Sequence, residues 1–145
     1  MIFSKAGSAG YLINHLARRF ARGLTARIKP LGLSTGVFPA LLELWESDGL
    51  TQSQLVQRLD IEQATMAGTL ARMERDGLVV RQRDPDDGRV QRIWLTPQAR
   101  SLQQPAIQAA LDENTEALSG LTPAERQQFI ALMVKVLKTS GAALP

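Results

Sequence analysis

The 145-residue sequence predicts a mainly α chain with one β-hairpin, an α+β class, and three observations carry that prediction. Apolar residues recur at helical spacing before residue 77 and again after residue 96. Between those stretches the period falls to two, over 78–83 and 90–95. Capping signatures punctuate the helical parts, Thr51-Gln52-Ser53-Gln54 and Thr122-Pro123-Ala124-Glu125 being the plainest. Hydrophobic residues make up 44% of the chain and charged residues 21%, a balance that supports a folded core. A domain of this length buries roughly 68–70% of its unfolded surface, so it needs no disulfide or metal staple. The chain is therefore read as a single domain over 1–145.

The first helix is expected from Ala9 to Lys29, where Leu12, Leu16, Phe20, Leu24 and Ile28 recur every four residues. Arg18, Arg19, Arg22 and Lys29 fall largely off that stripe, and Pro30 and Gly32 stop the helix. A second helix is expected from Thr35 to Glu46, with Val37, Leu41, Leu44 and Trp45 on one face. Pro39 is tolerable there only near the first turn. Thr51 and Gln54 form a capping box opening a short helix through Leu59, with Leu55, Val56 and Leu59 turned inward. Asp60 is placed to cap the next helix, whose inward face is Met66, Leu70 and Met73 and whose C′ residue is Gly77.

Leu78–Arg83 and Val90–Leu95 then read as two strands, and the Asp87-Gly88 pair between them signals a hairpin turn. Thr96-Pro97 opens a long helix to about Leu118, with a kink expected at Pro105. The last helix begins at Thr122 and carries Phe129, Ile130, Leu132, Met133, Val136 and Leu137.

Composition excludes several function classes. With no cysteine there is no disulfide frame, thiolate metal site, cysteine nucleophile or thiol redox sensor. A lone histidine, His15, is too little for an ordinary zinc or iron site, so no metal and no cofactor is expected. No apolar run approaches the roughly 18 residues of a membrane span. Asn14, His15, Arg18 and Arg19 interrupt any secretory h-region. No Gly-x-Ser-x-Gly elbow, phosphate loop, dinucleotide fingerprint or His–carboxylate pair is present, so no catalytic residue is assigned and the chain is not read as an enzyme. Asp84, Asp86 and Asp87 surround a proline and a glycine, a composition that builds a turn, with Asp87 placed to orient a neighbouring arginine.

Net charge is +3 with a sequence pI near 9.8, which suggests a polyanion partner until the charge is located. Residues 1–30 carry +6, residues 31–48 carry −3, and 49–96 and 97–145 each sum to zero. The basic balance thus belongs to the N-terminal helix. Six basic and no acidic side chains in the first thirty residues also fit a transit peptide by composition.

Two short helices, a tight turn and then a hairpin outline a winged helix-turn-helix, in which the first helix braces the second and the second enters the major groove. Subtracting the inward face of 62–76 leaves Gln63, Thr65, Thr69 and Arg72 outward or partly outward, groups able to bond base edges or phosphates. Ala64 and Gly68 share that side and are small enough to let the backbone approach a groove. Arg89, just past the Asp-Gly turn, suits a narrow minor groove, whose potential attracts a guanidinium. The alternative is a winged-helix module that uses the same face to bind another protein.

The stretch Glu62–Leu78, the run Arg83-Asp-Pro-Asp-Asp-Gly-Arg89 and the segment Trp94-Leu-Thr-Pro-Gln-Ala-Arg100 resemble the MarR (multiple antibiotic resistance regulator) family, and the resemblance covers essentially the whole chain. It implies a cytoplasmic, sequence-specific transcriptional regulator, a ligand-responsive repressor acting as a homodimer on a pseudo-palindromic operator in double-stranded DNA. Residues 9–29 and 97–140 would then be dimerisation helices, and 35–96 the DNA-binding lobe with its wing at 78–95. That role for 9–29 displaces the transit-peptide reading. The implied DNA contacts are Gln63, Ala64, Thr65, Thr69, Arg72 and Arg89. Gly88 stands where the family usually has a first wing arginine, and Gly68 where it often has a larger polar side chain. The family's small-molecule pocket lies near its first two helices, which makes His15 and Phe38 candidate effector contacts. A small amphipathic or aromatic acid is the effector class implied. By residue pattern alone, His15 reads as a core or solvent-edge histidine, and Trp45 and Trp94 as core anchors.

Overall fold

The helix that opens the fold, α1 (Ala9–Ile28), starts where the Ser8 hydroxyl accepts the Tyr11 N–H at 3.3 Å. In this computed structural model, which describes all 145 residues, it is followed by α2 (Phe38–Glu46), β1 (Leu50–Thr51), α3 (Gln52–Leu59), α4 (Gln63–Arg75), β2 (Val79–Arg83), β3 (Gln91–Leu95), α5 (Pro97–Ser101), α6 (Gln103–Ala117) and α7 (Pro123–Thr139). The three strands form one antiparallel sheet in the order β1-β3-β2, with Leu50 opposite Ile93 and Arg83 opposite Gln91.

The capping reading holds at both boxes. Thr51 and Thr122 each accept the N3 amide, while Gln54 and Glu125 reach back to the cap amide. The Glu125 carboxyl is held below its ordinary range first by the Thr122 backbone N–H, then by its hydroxyl. Gly77 (φ 73°) closes α4 with a Schellman motif: Leu78 N–H reaches Met73 O at 2.9 Å and Gly77 N–H reaches Glu74 O at 3.2 Å. Only a residue at ease in the left-handed region terminates the helix this sharply.

Four features differ from expectation. α2 begins at Phe38, not Thr35, with Pro39 in its first turn. Asp60 ends α3 in the left-handed region (φ 52°), and Glu62 is the uncapped N-cap of α4. The helix expected over 97–118 divides at Leu102, because Pro105 has no N–H for the Ser101 carbonyl and so belongs in the first turn of a new helix. The two-residue β1 was not foreseen; a segment this short carries no alternation to read.

The core is one cluster in which Ile28, Leu41, Leu44, Leu55, Leu70 and Ile93 are completely enclosed. Trp45 anchors its edge, with Nε1 donating to Ala99 O at 3.0 Å and its ring edge-on to Phe38. Trp94 covers Gly49, where a Cβ would fall 2.6 Å from the indole. Asp48 ties three elements together. Its Oδ1 accepts the amides of Gly49 (3.0 Å) and Leu95 (2.9 Å), and its Oδ2 meets Arg100 at 3.0 Å.

α1 docks on α6 through a buried carboxylate. Glu113, 3% exposed, accepts from Arg19 Nη1 at 2.8 Å and Arg27 Nε at 3.1 Å, and Arg27 also bonds Glu116. The Glu113 carboxyl lies against the backbone of Gly23, where a Cβ would overlap it. Hydrogen bonding to Glu113 is the main cause of a raised Arg27 pKa. The N-terminal half of α1 and all of α7 stand apart from the core. α7 has no buried residue, and Ile130 and Val136 are 48% and 60% exposed. No helix is long and apolar enough to cross a membrane.

Overpacking sets the expected behaviour of the Gly23–Glu113 joint. Gly23→Ala should destabilise the fold by about 1–3 kcal/mol, read from urea midpoints at fixed protein concentration. In a Glu113→Ala background the clash is gone and alanine is the better helix former by about 1 kcal/mol, so the same change should be neutral or stabilising. Equal losses in both backgrounds would contradict the contact.

Candidate nucleic-acid interface

α3 and α4 pack as a bihelical unit through Leu55, Met66, Leu70 and Met73. Gln63, Ala64, Thr65 and Arg72 lie exposed on α4, as the sequence reading expected, together with Gly68, Ala71 and Arg75. Thr69 does not join them. It is 7% exposed, because position 69 is one turn from both Met66 and Met73 and shares their inward stripe. Thr69 therefore packs the helix onto the core and is withdrawn from the base-facing set.

Gln63 opens α4 and accepts from Gln52 Nε2 at 3.2 Å, which couples the starts of α3 and α4. Arg72 extends over the Ser34–Gly36 loop, its guanidinium within 4 Å of the space a side chain on Gly36 would occupy. It makes no ion pair and remains exposed. Beyond α4 comes the hairpin, whose turn is built by carboxylates as the sequence suggested, although not by the geometry expected of Asp-Gly. Gly88 has no positive φ. Instead Asp84 accepts the amides of Asp86 (2.8 Å) and Asp87 (3.3 Å) while taking the Arg92 Nε–H at 2.6 Å. Arg92 also donates to Gly49 O at 3.0 Å, bracing the wing on β1. Those bonds, the one from Arg92 first, hold the Asp84 carboxyl below its ordinary range.

Asp87 orients Arg89. Its Oδ1 accepts the Arg89 amide at 3.1 Å and the Arg89 Nε–H at 3.3 Å. The Arg89 side chain is 93% exposed at the wing tip, a cation aimed outward on a stiff turn. Sequence reasoning missed two further arginines. Arg81 and Arg83 alternate along β2 and lie on the same face of the sheet, opposite Ile93 and Gln91. With Thr51, Ser53 and Arg89 they line a groove of about 630 Å³ between the wing and the start of α3. The period-two spacing of Arg81 and Arg83 was the available signal; the approach of α3 that makes them a wall was not in it.

Neither residue expected near an effector lines the arginine groove or the cavity between α1 and α6. Phe38 is a core residue, 6% exposed, and His15 lies on exposed α1 with its ring centre 6.3 Å from that of Tyr11. A smaller cavity of about 210 Å³ lies between α1 and α6, lined by Phe20, Leu24, Thr35, Ala110, Glu113 and Asn114 among others.

Comparison with known proteins agrees with this geometry. A model described as the MarR family matches residues 31–90. The transcriptional regulator HosA of Escherichia coli O157:H7 is 33% identical over 94 residues, covering 65% of this chain and 70% of that protein. The structure of a MarR-family transcriptional regulator from Silicibacter pomeroyi is 33% identical, covers 94% of this chain and 92% of that one, and superposes with a TM-score of 0.73. The structure of Bordetella bronchiseptica BpsR, whose DNA binding is regulated by 6-hydroxynicotinic acid, is 25% identical, with coverage of 94% and 97% and a TM-score of 0.85.

The wing's order should depend on pH through Asp84. Because its pKa is lowered in the folded chain, its contribution is complete above the ordinary carboxylate value and lost as pH falls through the depressed one. Amide exchange at Asp86 and Asp87 should therefore quicken only below the ordinary carboxylate range. Asp84→Ala should be fast throughout and lose that transition; a retained transition in the variant would assign it elsewhere.

Proposed function

This chain belongs to the MarR family of transcriptional regulators, and on that premise we propose that it is a ligand-responsive repressor acting as a homodimer on a pseudo-palindromic operator in the cytoplasm. The observation that carries the DNA contact is Arg89, fully exposed on a wing locked by Asp84 and Asp87, beside a helix whose outward face is Gln63, Ala64, Thr65 and Arg72. α4 enters the major groove and the wing arginine the flanking minor groove. Two copies place two such helices in successive grooves roughly 34 Å apart.

Dimerisation is supported by what the single chain leaves open. Tyr11, Leu12, Ile13 and Leu16 on α1, and Ile130, Leu132, Met133, Val136 and Leu137 on α7, are all more than a third exposed. Apolar exposure on this scale, concentrated on two helices, marks an interface. A second copy of the same two helices covers it symmetrically. The effector is an aromatic acid, a class supported by the 6-hydroxynicotinic acid that regulates DNA binding in BpsR. Of the two side chains expected near it, His15 is open to a ligand and Phe38 is committed to the core.

A titration on the intergenic DNA beside its own gene, repeated over a salt series, tests the regulator reading. Log K should fall steeply with log salt, and an aromatic carboxylate should release the complex. Flat salt dependence with no preference over random DNA would overturn it in favour of a protein-binding module. Arg89→Ala should weaken operator binding by about 1–3 kcal/mol. In sedimentation at micromolar concentration the chain should run as a dimer; a stable monomer contradicts the assembly.

A further inference from the structure

We propose that the groove between the wing and the start of α3 is a phosphodiester clamp in which Arg83, assisted by Arg81 and the Ser53 hydroxyl, grips the operator strand between recognition helix and wing tip. The inference rests on the DNA-binding reading above and adds a contact that neither α4 nor Arg89 supplies.

Three arginines, Arg81, Arg83 and Arg89, are among the residues lining this groove, and no acidic residue is. Arg81 faces Glu74 at 3.4 Å and Arg89 faces Asp87 at 3.3 Å, both outside the groove lining, whereas Arg83 has no acidic partner. A cluster of cations draws an anion, and a phosphate accepts the planar guanidinium fork in two bonds. The strand register holds the cations in place. Arg83 is opposite Gln91, and Arg81 is opposite Ile93, which is completely buried and forms the floor.

Position argues for a polymer's phosphate over a free one. At one end, Gln52 lines the groove and donates to Gln63 at the start of the recognition helix. At the other end stands Arg89, at the wing tip. A strand leaving the major groove for the minor groove must cross the gap between those residues, and the groove spans it. Its volume, about 630 Å³, exceeds what one inorganic phosphate fills and leaves room for the adjoining sugars.

The test measures binding of the whole protein to the operator and to a scrambled duplex over a salt series, comparing wild type, Arg83→Gln and Arg83→Lys. Arg83 is exposed, so both variants should keep the fold. Arg83→Gln should reduce the log K–log salt slope by about one per protomer on both duplexes and leave the operator preference unchanged. Arg83→Lys should restore the slope. An unchanged slope in Arg83→Gln, with wild-type binding intact, overturns the clamp alone, as does a change in sequence preference without a change in slope. Absence of salt-dependent binding in wild type overturns the DNA-binding reading and the clamp with it. A parallel calorimetric titration with inorganic phosphate should show no saturable binding at millimolar concentration. Saturable binding that Arg83→Gln abolishes would give the site to a free anion and overturn the strand assignment.

Discussion

The joint at Gly23 sets the frame in which everything else sits. A carboxylate taken out of water must be matched by charge and hydrogen bonds, and Glu113 is matched from both sides by Arg19 and Arg27. Those arginines stand one helical turn either side of Gly23, so all three share a face of α1. The missing side chain at Gly23 lets the carboxylate reach the helix backbone. α1 enters the core at Ile28 and α6 at Ala106, so this contact also fixes how the flanking helices leave the DNA-binding lobe. It further explains the basic N-terminal segment: part of its charge is spent inside the fold, holding α6.

Charge sums to zero over 49–96, the stretch holding α3, α4 and the wing, yet its arrangement is far from neutral. Five of the seven arginines there meet a carboxylate: Arg58 with Glu43, Arg75 with Asp76, Arg81 with Glu74, Arg89 with Asp87 and Arg92 with Asp84. Arg72 and Arg83 have none. The carboxylates brace turns and strands, and the two uncompensated cations lie on the recognition helix and the wing. Net charge is a poor guide here because a nucleic acid meets the local field, whose range is about 8 Å at physiological ionic strength. A rigid wing matters for the same reason. A guanidinium already aimed by Asp87 loses less freedom on binding than one on a loose loop.

The helices that contribute least to the core of one chain carry its largest uncovered apolar surface. α7 has well-formed caps at its N-terminus and no buried residue, so packing within the single chain stabilises it little. In the proposed dimer, DNA affinity is coupled to association, because the shared helices would position both recognition helices. The cavity between α1 and α6 includes both Glu113 and Thr35, and Thr35 belongs to the loop over which Arg72 lies. Thr35 thus borders the cavity between the flanking helices and belongs to the loop beneath Arg72.

The sequence alone determined what is decided within a few residues. The two capping boxes, the Gly77 terminus of α4, the carboxylate-built turn and the outward position of Gln63, Ala64, Thr65, Arg72 and Arg89 follow from local hydrogen bonding and helical or strand period. The family pattern was legible for the same reason, since its most specific piece is a single turn. What tertiary structure decided depends on segments distant in the chain. β1 exists because β3 offers it partners across more than forty residues, and the inward turn of Thr69 is settled by the core against which α4 packs. The Gly23 slot needs Glu113 from ninety residues away, and the arginine groove needs the start of α3 held across β3 from β2. Local period states which side chains share a face; only the packed chain states what that face meets.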